Sequence, residues 1–124
     1  MITGLIEVIL YVEDMNAQVA FYRDTLGLPV EYPAGLADYS GEFWVLLNAG
    51  ACKLALHGGG GRRLGADTPK LVFGVDDIEQ ARQTLQARHV ALSEVRSPAP
   101  GVSVCDGADP EGNPFSIEAQ GGPA

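Results

Sequence analysis

Four residues with reactive side chains stand at the ends of otherwise apolar, strand-like segments: Glu7 in EVILYV, His57 in CKLALH, Lys70 in KLVFGV and Glu118 in PFSIEAQ. Two carboxylates, an imidazole and an ammonium are groups that exchange protons, lend lone pairs or neutralise charge. Side chains alternate across a strand, so each segment sorts into a face toward a helix and a face away from it. Glu7, Ile9 and Tyr11 oppose the apolar set Val8, Leu10 and Val12, and Lys53, Ala55 and His57 oppose Leu54 and Leu56. Lys70, Val72 and Gly74 oppose Leu71, Phe73 and Val75, and Ser116 and Glu118 oppose Phe115 and Ile117. The four polar residues are therefore expected at matching ends of non-core faces. A pseudo-twofold axis relating two such sheets would let them converge in one cleft.

The elements that must position them come from one pattern used twice. EVILYVEDMNAQVAFY, from Glu7, overlays KLVFGVDDIEQARQTL, from Lys70, without a gap, pairing Leu10 with Phe73, Val12 with Val75 and Asp14 with Asp77. Each copy reads as a strand followed by an aspartate cap, because a carboxylate accepts the unpaired N–H groups of a first helical turn. Asp77 with Gln80 also resembles a capping box. The first helix carries Val19, Tyr22 and Leu26 on one face and stops at Gly27; the second carries Ile78, Ala81 and Leu85. Three strand candidates follow each helix: LPVEYPA, EFWVLLN and CKLALH, then VALSEV, GVSVCDG and PFSIEAQ. In the DPEGN turn, Asp109, Pro110 and Gly112 take positions that a type I turn favours. The expected fold class is α+β: two paired βαβββ modules, curved mixed sheets around a cleft with the helices outside. One domain is expected over 1–124, with module one at 1–58, a glycine-rich linker at 58–68, module two at 69–120 and a frayed tail at 121–124.

Composition narrows the partners. A chain of 124 residues that is 46% hydrophobic can bury one good core. A formal net charge of −8 repels a phosphate backbone, so nucleic acid is not an expected partner. No run reaches the roughly 20 apolar residues of a membrane span, and the N-terminus does not read as a secretory signal; no membrane partner and a cytoplasmic location are expected. Cys52 and Cys105 lie in apolar segments without metal-type spacing and read as reduced structural thiols.

The segments VEDMNAQVAFYRDTLGLPV, LALH, VFGVDDIEQA and DPEGNPFSIE resemble the vicinal-oxygen-chelate superfamily, which includes glyoxalase I, bleomycin-resistance proteins and extradiol dioxygenases. The resemblance runs from about Leu5 to Gln120. It implies a homodimer and, in metal-dependent members, a divalent ion held from the first and fourth strands of the paired units. Carried over, those positions are Glu7 and His57 in the first half and Lys70 and Glu118 in the second. Histidine is the usual residue at the places of Glu7 and Lys70. Glu7, His57 and Glu118 could hold a divalent nickel, zinc, manganese or iron ion with open positions. A protonated lysine has no lone pair, so Lys70 cannot ligate. One charge pair at about 4 Å is worth roughly 4 kcal/mol before desolvation, so Lys70 is expected to bridge Glu7 and Glu118 in place of the ion.

Two functions follow. One is a glyoxalase/bleomycin-resistance-like protein that binds a small organic ligand without a catalytic metal, using Tyr11, Lys70, Trp44 and Phe43. The alternative is a metal-dependent lyase or isomerase of the glyoxalase type in which Glu118 or Glu7 moves a proton. Extradiol dioxygenase chemistry fits less well, since it wants two histidines and one histidine is suitably placed. His89 suits a helix C-terminus, and Arg23 and Asp24 read as structural. Arg62 and Arg63 beside the glycine run could attract an anion, but the run lacks a P-loop ending.

Overall fold

The computed structural model describes residues 7–59 and 69–121. The chain divides into two compact units, Met1–Leu64 and Gly65–Ala124. The first holds β1 (Glu7–Tyr11), α1 (Met15–Val19), a wider π-helical continuation (Ala20–Thr25), β2 (Val30–Tyr32), β3 (Trp44–Asn48) and β4 (Lys53–His57). The second holds β5 (Leu71–Gly74), α2 (Ile78–Ala87), β6 (Arg96–Ala99), β7 (Val102–Ala108) and β8 (Pro114–Gln120). The expected α+β class and the two βαβββ modules are both present. Residues 60–68 of the expected linker, with Arg62 and Arg63, and residues 122–124 of the tail lie outside the described residues.

The two sheets repeat one topology, β1-β4-β3-β2 and β5-β8-β7-β6. In each, the first and last strands run parallel and the remaining pairs antiparallel. Both helices start as their sequences dictate. Asp14 Oδ1 accepts from the Ala17 N–H at 3.0 Å and Asp77 Oδ1 from the Gln80 N–H at 3.1 Å. The first helix widens after Val19, where the Leu26 N–H reaches back five residues to the Phe21 carbonyl. It ends at Gly27, whose φ of +84° is the left-handed conformation glycine tolerates. DPEGN closes as expected, with Asp109 accepting the backbone N–H groups of Glu111 and Asn113.

The core of the first unit gathers Leu10, Val12, Met15, Val19, Tyr22, Val45, Leu47, Leu54 and Leu56, all buried. That of the second gathers Leu85, Cys105, Phe115 and Ile117. Leu10, Leu54, Leu56, Phe115 and Ile117, which alternation turns inward, are buried, but so are Ala55 and Ser116, which it places on the opposite faces. One strand is displaced: VALSEV is irregular and β6 begins only at Arg96. The Val90 N–H is used by the Leu85 carbonyl at the end of α2, and although the Ser93 N–H donates to the Asp106 carbonyl, the Asp106 N–H returns to the Ser93 hydroxyl instead of to a backbone carbonyl, so no regular ladder forms there. Among the described residues, no helix is long and apolar enough to cross a membrane.

Candidate functional site

The strand pairing decides which of the four polar residues can act together. Because β1 and β4 are parallel, a strand start lies beside a strand start: Glu7 pairs with Lys53, while His57 pairs with Tyr11 four residues further along. At about 3.3 Å per residue, Glu7 and His57 are roughly 13 Å apart along the sheet. They do not share a coordination sphere, whose bonds are about 2.0–2.6 Å long. The residue beside Glu7 is a lysine whose ammonium is paired with Glu31.

The second unit repeats this arrangement. Lys70 leads into β5, whereas Glu118 lies opposite Gly74 at the strand's far end. The expected bridge from Lys70 to Glu118 is not made. Lys70 Nζ donates instead to Asp106 Oδ1 at 2.7 Å, and Glu118 accepts from the Gln120 side-chain amide. Asp106 also accepts from Arg96 Nε at 3.0 Å, from Arg96 Nη2 at 3.2 Å and from the Ser116 hydroxyl. These bonds, from Arg96 first and then Lys70 and Ser116, hold the Asp106 carboxyl well below the usual carboxylate range. The same pair raises the Arg96 guanidinium.

His57 has a different company. Its ring centroid lies 5.0 Å from that of Tyr11, 4.9 Å from that of Phe43 and 5.7 Å from that of Trp44. Register explains the gathering, because Tyr11 and Trp44 are the partners of His57 on the strands to either side of β4. Phe43 precedes Trp44, and its ring lies across the backbone of Gly58, where a Cβ would approach Phe43 Cδ2 to 2.7 Å. Tyr11 is 58% and Phe43 63% exposed. The His57 Nδ1 lies 2.6 Å from the Gly58 carbonyl oxygen.

Three of the four candidate ligand-binding residues, Tyr11, Phe43 and Trp44, thus meet at His57, while Lys70 belongs to the Asp106 cluster. The donor set expected for a metal does not fit within either unit: Glu7 and His57 lie apart in the first, and Lys70 and Glu118 in the second. Among the described residues, no group of three or more histidine, cysteine, aspartate or glutamate side chains is arranged to hold an ion. Sequence reasoning overlooked Lys53, Asp106 and Arg96. Lys53 carried a visible signal, since alternation puts it on the face of Glu7.

The chain belongs to the glyoxalase/bleomycin resistance protein/dioxygenase superfamily, whose family model matches residues 4–117. No curated protein matches it in sequence. Among solved structures it is similar to a glyoxalase family protein from Enterococcus faecalis, with a TM-score of 0.75 and 19% identity over 94% of this chain and 97% of that one. It is likewise similar to TnmS3, an antibiotic binding protein from a Streptomyces species, with a TM-score of 0.75 and 22% identity over 97% and 98% of the two chains. Lactoylglutathione lyase from Agrobacterium tumefaciens gives a TM-score of 0.73 and 21% identity over 96% and 95%. Identities this low speak for the fold alone.

Proposed function

We propose that this chain binds a small organic molecule at the aromatic end of its first unit, without a resident divalent metal. The carrying observation is the gathering of Tyr11, Phe43 and Trp44 around His57. Aromatic surface left open to water forgoes the stabilisation that burial would give, and contiguous apolar patches of this kind mark binding sites. A flat ligand laid on these rings would recover it by stacking. Two further observations support the absence of a metal. Lys53 stands beside Glu7, and Lys70 is bonded to Asp106; neither ammonium has a lone pair to give. A net charge of −8 favours a cationic ligand. The reading includes a homodimer, as the family resemblance implies, which light scattering would check.

Trp44 is the only tryptophan, so its emission reports on this end of the sheet. Proflavine, a flat cationic aromatic, and bleomycin, a glycopeptide with a planar bithiazole and a cationic tail, are the probes. The expected result is saturable quenching that weakens in Phe43→Ala. Unchanged emission with both probes, together with stoichiometric uptake of nickel, zinc, manganese or ferrous iron, would overturn the reading. That outcome would favour a metal-dependent lyase or isomerase with Glu7 or Glu118 moving the proton.

A further inference from the structure

The backbone around His57 fixes more than the position of its ring. A carbonyl oxygen only accepts hydrogen bonds, so the contact of 2.6 Å between Nδ1 and the Gly58 carbonyl requires the proton to sit on Nδ1. A neutral imidazole carries one N–H, which leaves Nε2 with a bare lone pair. Among the described residues, nothing donates to that nitrogen. The Gly58 N–H donates to the Phe43 carbonyl at 2.8 Å, which ties the residue after His57 to the start of β3. An acceptor therefore stands among three aromatic rings, at centroid distances of 4.9–5.7 Å.

We infer that His57 is a specificity-determining residue: Nε2 selects, among flat aromatic ligands, those that bring an N–H or O–H donor to it. The inference rests on the proposed ligand site and goes beyond it, because the rings alone would bind any flat apolar molecule of suitable size. A ligand without a donor would strip water from Nε2 and return nothing, while one with a donor exchanges that water for a bond. Discrimination follows from the penalty on the wrong ligand as much as from the bond to the right one.

The test compares 2-naphthol with 2-methoxynaphthalene, which share a ring system and differ in the donor. Binding is followed by the NMR shift of the Trp44 indole signal, with the imidazole neutral. 2-Naphthol is expected to bind about tenfold more tightly. His57→Phe keeps a ring and removes the acceptor, so both probes should still bind and the ratio should fall to about one. His57→Gln restores an acceptor and should restore part of the preference. Long-range proton–nitrogen spectra of the free protein should show His57 protonated on Nδ1, its signals separated from those of His89, the other histidine, by their loss in His57→Phe. Equal affinity for the two probes would overturn the selection and leave ligand binding standing. Failure of both to bind would overturn both readings, and a proton on Nε2 would overturn the tautomer on which the selection depends.

Discussion

The ammonium of Lys70 lies 2.7 Å from Asp106 Oδ1, and this one carboxylate links the residue entering β5 to Arg96 of β6, its own strand β7 and Ser116 of β8. An isolated surface ion pair contributes little. Asp106 differs because it serves three partners at once and one of them, Ser116, is buried. Asp106→Asn keeps the shape and removes the charge. It should cost about 1–2 kcal/mol in urea denaturation, the lower part of the range for charge-assisted bonds because the site is partly open to solvent. The sign of the pH dependence follows from the depressed folded pKa. The contribution is complete above the unfolded value near 3.9 and is lost progressively as the pH falls below about 4. The wild type should therefore lose more stability on acidification than Asp106→Asn, and parallel acid profiles would remove Asp106 from its role.

On the opposite face of β7, Gly107 stands across from Phe115. A Cβ there would lie 3.0 Å from Leu92 Cδ2 and 3.0 Å from Phe115 Cε1 and Cζ. Phe115 is wholly buried and has nowhere to yield. Gly107→Ala should destabilise by about 1–3 kcal/mol through overpacking. Gly74 is the control, since nothing lies within 4 Å of its Cβ position and Gly74→Ala should be close to neutral. Equal denaturation midpoints for the two variants would contradict this.

What could be read in advance divides along a physical line. Local chemistry was legible: Asp14 and Asp77 cap helices, Gly27 ends one, and alternation sends Leu10, Leu54 and Phe115 inward. Each of those outcomes depends on a few neighbouring residues. The level of a residue along a sheet does not, because it is set by pairing between distant strands. Alternation put Glu7 and His57 on one face correctly, yet the parallel register of β1 and β4 puts them at its two ends. The same register carried Glu118 away from Lys70 and left Lys70 to Asp106. The aromatic gathering at His57 was half legible, as candidate rings without a common centre. The wider turn after Val19 and the displacement of β6 had no signal in the residue pattern.

His89 follows the Arg88 cap of α2 with φ at +68°, the left-handed region that a residue with a Cβ occupies at a cost. Its position was legible as a helix end that suits a cation; its backbone conformation was not. Its N–H donates to the Gln86 carbonyl, so the conformation is part of how the helix closes. His89→Gly relieves the strain, offset in part by the greater freedom of glycine in the unfolded chain. A net gain of about 0.5–1 kcal/mol is expected, read as a higher thermal midpoint. A lower midpoint would show that the strain at this position is smaller than the cost of glycine's freedom in the unfolded chain.

Gly58 gives the means to separate ligand binding from stability. A methyl group there would meet Phe43 Cδ2 at 2.7 Å and Cε2 at 3.0 Å, too close for the ring to stay. Unlike Phe115, Phe43 is 63% exposed and can swing into solvent. Gly58→Ala should therefore change stability by no more than about 0.5 kcal/mol, as surface substitutions do. It should also take one ring from the company of His57, at roughly the worth of one aromatic contact. Affinity for bleomycin or proflavine, followed through Trp44, should then fall roughly threefold to tenfold. A fall in stability with affinity unchanged would mean that Phe43 holds the end of the sheet together and takes no part in ligand binding.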